Sequence, residues 1–141
     1  MKKIILAMAF IGITGAAVWA RGTEVPQLVK TKFQSIYHDV TKVKWGKEGA
    51  NYEAEFSYKA VSTSVLFDAQ GNVLETERAV TMADFPKTAK DYLAKNRAGM
   101  KITETSKITD ANNKVTYEAE VKGKDIIFDD KGNFVQEKDS D

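Results

Sequence analysis

The chain has 141 residues, 43% hydrophobic and 29% charged, with no Cys, one His and a formal net charge of +1. That balance fits a compact folded chain and excludes a collagen-like, coiled-coil, disordered or polytopic membrane protein. Without Cys there are no disulfides, thiolate metal sites, Cys nucleophiles or lipid-modified N-terminal Cys, and near neutrality gives no electrostatic reason to expect nucleic acid or an anionic membrane as partner.

Lys2 and Lys3 precede an apolar stretch over residues 4–13, and Val18-Trp19-Ala20 places compact residues before Arg21. This is the pattern of a secretory signal peptide, residues 1–20, cleaved after Ala20. The apolar stretch is shorter than the roughly 20 residues a spanning helix needs. The expectation is therefore a periplasmic or secreted protein with no membrane span after cleavage.

Next, Pro26 suits an early helical position, and Leu28, Val29, Phe33, Ile36 and Tyr37 form one helical stripe ending near His38. Residues 40–45 alternate as a strand with Val43 and Trp45 on one face, and residues 46–51 form a turn. Tyr52, Ala54, Phe56 and Tyr58 alternate with Glu53, Glu55 and Ser57, and Val61, Thr63, Val65 and Phe67 alternate with Ser62, Ser64 and Leu66. These are two half-buried hairpin strands, followed by a tight turn at residues 68–72 and a fourth strand at 73–79. Asp84 is a candidate cap for a second helix with Ala89, Tyr92 and Leu93 on its stripe, stopping near Gly99. Residues 101–110 are polar but β-prone. Val115, Tyr117, Ala119 and Val121 then alternate with Thr116, Glu118 and Glu120, and residues 126–129 and 134–137 flank a turn at 130–133.

The chain resembles itself. Tyr52-Glu53-Ala54-Glu55 recurs as Tyr117-Glu118-Ala119-Glu120, Val25-Pro26 corresponds to Phe85-Pro86, and the run from Leu66 to Val73 matches that from Ile127 to Phe134. Ordered anchors of this kind are the mark of an internal duplication. The expected fold is α+β: two tandem repeats, residues 21–83 and 84–141, each of one helix packed on a four-stranded antiparallel sheet. Units of about 60 residues are marginal alone, so the two are expected to share a sheet or pack their helices together, forming one cooperative body.

Phe85-Pro86 opening a helix, the alternating Glu strand at Tyr117, and the hairpin Ile126-x-Phe128-Asp129-x-x-Gly132-x-Phe134, matched by Val65-x-Phe67-Asp68-x-x-Gly71-x-Val73, carry a family signature. Over residues 25–136 the chain resembles the PepSY-like family of exported bacterial proteins, also described as β-lactamase-inhibitor-like. The resemblance implies a tandem helix-on-sheet fold in the periplasm or outside the cell, with no established enzymatic activity and with binding or inhibition of another protein as the suggested role. It implies no particular site residues.

The residue inventory supplies no catalytic, cofactor or metal site. His38, the single His, sits at a predicted helix end, where capping explains it. The acidic turns lack acidic or amide ligands at the alternating positions a calcium loop requires. Glu53 with Glu55, and Glu118 with Glu120, lie two apart on one strand face and suit a solvated surface of cross-strand pairs with Lys42, Lys44, Lys107 and Lys122. The candidate partner-binding face is Glu53, Glu55, Leu66, Glu118, Glu120 and Ile127, pointing away from the helices. Trp45 and Tyr58 at strand ends complete it as either core or rim. The expected function is a non-enzymatic module binding an unknown protein or peptide of the cell envelope. The alternative is a small-ligand or lipid carrier whose cavity, between helices and sheet, is lined by Phe33, Phe56 or Tyr92.

Overall fold

The structure, a computed structural model, describes residues 24–140; the expected signal peptide lies outside the described residues. Helix α1, Gln27–Ile36, begins directly after Pro26, whose φ of −54° and missing N–H suit a chain entering a helix. It ends where the Tyr37 N–H donates to the Phe33 carbonyl. Then come β1 (Lys44–Glu48), β2 (Asn51–Tyr58), β3 (Val61–Phe67) and β4 (Val73–Ala79). A short 3-10 turn, Met82–Asp84, leads into α2 (Lys87–Asn96), followed by β5 (Ile102–Asp110), β6 (Val115–Val121), β7 (Lys124–Asp129) and β8 (Phe134–Asp139).

All eight strands form one antiparallel sheet in the order β1 to β8. This overturns the expected fold of two tandem repeats, each of one helix packed on a four-stranded sheet. The sheet does not stop at β4: β4 and β5 pair from Glu75↔Asp110 to Ala79↔Ser106. The physical reason is the edge. Two separate sheets would leave both strands with open rows of N–H and C=O groups, whereas pairing satisfies them and removes two edges. The expected boundary between residues 83 and 84 falls inside the 3-10 turn, in a connection that returns the chain to the same sheet.

Two boundaries also moved. The first strand runs over Lys44–Glu48 instead of 40–45, because the chain leaving α1 first closes a turn in which the Val40 N–H donates to the Tyr37 carbonyl. Asp84 does not cap α2. Its carboxylate accepts hydrogen bonds from the Thr81 N–H and hydroxyl, capping the 3-10 turn, and Pro86 opens α2.

One sheet face carries both helices. Val29 and Phe33 of α1 bury against Ala54, Phe56, Val65 and Phe67. Ala89 and Leu93 of α2, with Phe85, bury against Ala119, Val121, Ile126 and Phe128. Burying a large apolar side chain contributes about 1.5–3 kcal/mol, and these two clusters hold the helices to the sheet. Among the described residues no helix lies on the opposite face.

The open sheet face

Strand alternation sends Glu53 and Glu55 of β2 away from the core residues Ala54 and Phe56. Cross-strand register then extends two rows over the open face. One runs Gly46, Glu53, Leu66, Glu75, Asp110, and the next runs Lys44, Glu55, Ser64, Glu77, Ile108, Thr116. Farther along, Ser106 stands opposite Glu118, and Glu118 opposite Ile127. Glu120 pairs with Asp125, and Asp125 with Lys138. Glu53, Glu55, Leu66, Glu118, Glu120 and Ile127 therefore share this face.

Trp45 and Tyr58 do not. Trp45 packs edge-on against Phe33 with centroids 5.4 Å apart, and Tyr58 meets Tyr37 at 5.2 Å, so both belong to the helix-covered side. The proposed lysine partners also divide. Lys44 Nζ lies 3.6 Å from Glu55 Oε2, but Lys107 is on the helix side, Lys122 is in the β6–β7 turn, and Lys42 precedes β1. Phe33 and Phe56 are buried in the core with ring centroids 5.0 Å apart, and Tyr92 packs on Phe128 and Phe134.

The face is acidic and partly desolvated, and its protonation behaviour follows. Burial raises the Glu53 carboxyl above its ordinary range; neighbouring Glu55 adds to the shift and a hydrogen bond with Ser64 opposes it. Burial, then Glu77, pushes Glu75 up to about 7. Glu77 is raised by burial too, moderated by a hydrogen bond with Ser106. Burial takes Glu118 to about 7 despite Lys138, whose Nζ is 3.8 Å away and is shared with buried Asp125 at 3.5 Å. The flanking apolar groups supply the physical cause: Leu66 sits between Glu53 and Glu75, Ile108 beside Glu77, and Ile127 beside Glu118. A cleft of about 180 Å³ on this face is lined by Glu53, Glu55, Ser64, Glu77 and Glu104.

Sequence reasoning missed Glu75, Glu77, Ser106, Asp125 and Lys138. Strand β4 reads Val-Leu-Glu-Thr-Glu-Arg-Ala, polar on both sides after Leu74, so alternation does not announce which side faces water. The signal available was the spacing of Glu75 and Glu77, the same two-residue interval as Glu53 and Glu55.

The arrangement can accept hydrogen bonds from ammonium, guanidinium, amide or hydroxyl groups, and near neutral pH it can also donate through protonated carboxyls. The acidic turns are occupied internally. Asp68 Oδ1 accepts from the N–H groups of Gln70 and Asn72, and Asp129 Oδ1 from those of Lys131 and Asn133. The side-chain amides of Asn72 and Asn133, which donate to the same carboxylates, and then these backbone bonds hold both carboxyls below their ordinary range. His38 stands exposed beyond the end of α1, its Nε2 3.2 Å from Asp39. Among the described residues no group of three or more His, Asp or Glu side chains is placed to hold a metal ion, and no helix is long and apolar enough to cross a membrane.

Residues 50–136 match the family described as "Putative beta-lactamase-inhibitor-like, PepSY-like". No curated protein matches. Three solved structures share the fold. A "putative periplasmic" protein from Bacteroides eggerthii, 15% identical, aligns over 82% of this chain and 88% of its own with a TM-score of 0.76. A DUF2874 family protein from Bacteroides uniformis is 19% identical over 81% and 88%, with a TM-score of 0.74. A BLIP-like protein from Bacteroides fragilis is 22% identical over 81% and 85%, with a TM-score of 0.63.

Proposed function

The chain belongs to the PepSY-like, beta-lactamase-inhibitor-like family, and from that premise we propose that it is an exported, non-enzymatic module of the cell envelope that binds a protein or peptide through its open sheet face. The observation that carries this reading is the face itself: among the described residues one side of the eight-stranded sheet has no helix on it and is studded with half-buried carboxylates around Leu66, Ile108 and Ile127. A broad strand-lined surface with isolated apolar points suits a macromolecular partner, whereas small-molecule sites are concave and mostly apolar. Export to the periplasm is supported by the N-terminal leader pattern and by the description of the B. eggerthii structure.

The test is cross-linking and pull-down from the native envelope with the wild-type chain and with a Glu53→Lys/Glu55→Lys/Glu118→Lys/Glu120→Lys variant. A Gln version of the same four changes controls for folding, checked by circular dichroism. The expected result is a partner captured by the wild type and lost on charge reversal. Equal capture by a folded reversed variant overturns the assignment to this face.

A further inference from the structure

On the helix-covered side the two cores do not meet. Between them the central strands β4 and β5 present Thr76, Arg78, Lys107 and Thr109 where the neighbouring strands present Val65, Tyr117 and Val115. Arg78 and Lys107 are direct cross-strand partners, and Thr76 and Thr109 are partners one step along the same face. Like charges set directly opposite in a sheet are unfavourable unless something between them compensates. Among the described residues neither cation makes an ion pair with a carboxylate. The acid at the rim, Asp84, is already committed to Thr81.

These four side chains line a cleft of about 670 Å³ whose other walls include Val61 and Val80. The size falls within the range of small-molecule sites, about 300–1,000 Å³. Both cores border it: Val80 packs on the second, and Tyr37 of the first lies beside Thr76 and Arg78. A guanidinium fork beside an ammonium, flanked by two hydroxyls, is a donor set matched to an oxyanion, with Arg engaging two oxygens at once. We propose that this seam cleft binds the carboxylate or phosphate group of a small anionic ligand, on the side of the sheet opposite the partner-binding face. Because both halves of the sheet contribute, the site exists only when β4 and β5 are paired.

The test is an amide chemical-shift titration of the residue 21–141 chain with inorganic phosphate and, separately, sodium octanoate. It is run on the wild type and on Arg78→Gln/Lys107→Gln, both side chains being exposed and removable without opening the core. The expected result is a saturable shift confined to Thr76, Arg78, Lys107 and Thr109 with at least one probe, weakened at least tenfold in the variant while the melting temperature holds or rises. Which probe binds distinguishes a phosphate from a carboxylate ligand. No saturable shift with either probe, or binding unchanged in the variant, overturns the proposal. Neither outcome bears on partner capture by the open face.

Discussion

Under α1 the half-sheet β1–β4 is held by one ring cluster centred on Phe33, while under α2 the half-sheet β5–β8 is held by fewer ring contacts, through Phe85 and Tyr92, together with a close backbone approach. Phe33 meets Tyr37, Trp45, Phe56 and Phe67 with centroids between 5.0 and 6.4 Å. In the other half the core is smaller, and the turn after β7 presses on the start of α2. A Cβ on Gly132 would lie 2.7 Å from the Ala89 nitrogen and 2.8 Å from Pro86 Cβ. The matching turn after β3 brings Gly71 against Lys32, where the clash at 2.6 Å is with Cγ of a flexible, exposed side chain. The same turn chemistry, an Asp accepting from the N–H groups two and four residues on, thus docks to a yielding helix surface in one half and a rigid one in the other.

The largest expected effect breaks that contrast. Both glycines have φ near +80°, which costs a substituted Ala about 1–2 kcal/mol. Gly71→Ala should lose slightly more than that, since Lys32 Cγ can swing away and only its Cβ, at 3.2 Å, must give by a few tenths of an ångström. Gly132→Ala must also displace helix backbone and should lose about 3 kcal/mol or more. Paired thermal denaturation measures the difference, and equal losses would refute the rigid-against-yielding account.

A middle-sized effect concerns the open face, where each half contributes one carboxyl raised to about 7, Glu75 and Glu118. With an unfolded value near 4.5, the native state holds more protons than the unfolded state between these limits, so stability falls as pH rises through the window. Asp68, Asp84 and Asp129 are shifted down, and their stabilisation is lost only as pH drops below about 4. Stability should therefore peak near pH 4 to 4.5 and be about 1–3 kcal/mol lower at pH 8, allowing for partial solvent screening. Lys138→Gln should steepen the fall, because Lys138 lowers both carboxyls. Urea midpoints across pH 4–8 check both; a flat profile would show the carboxyls to be hydrated.

The smallest effect sharpens the comparison at the two-residue hairpins. Lys59-Ala60 joins β2 to β3 with φ of 51° and 64°, whereas Lys122-Gly123 joins β6 to β7 with φ of 53° and 71°. Ala60→Gly relieves a left-handed Ala and should stabilise by about 0.5–1 kcal/mol. A loss of stability in urea would contradict the strain.

Much of this was readable from pattern. The Glu53/Glu55 and Glu118/Glu120 alternation put those side chains on one face because each is interleaved with Ala and aromatic residues that must be buried. Strand β4 resisted because its alternation runs Glu-Thr-Glu-Arg, with no apolar side to orient it. Its pairing with β5 is a contact between residues about thirty positions apart, such as Glu77 and Ile108, which no local period encodes.

The sequence by itself determined both helices, the apolar sides of β2, β3 and β6, and the turns at Asp68 and Asp129, because side-chain alternation and backbone sterics act over a few residues. Only the tertiary structure decided that eight strands make one sheet, that Trp45 and Tyr58 pack under α1, and that Arg78 faces Lys107. Those depend on how two marginal halves satisfy their open strand edges, and that pairing is a property of the assembled chain.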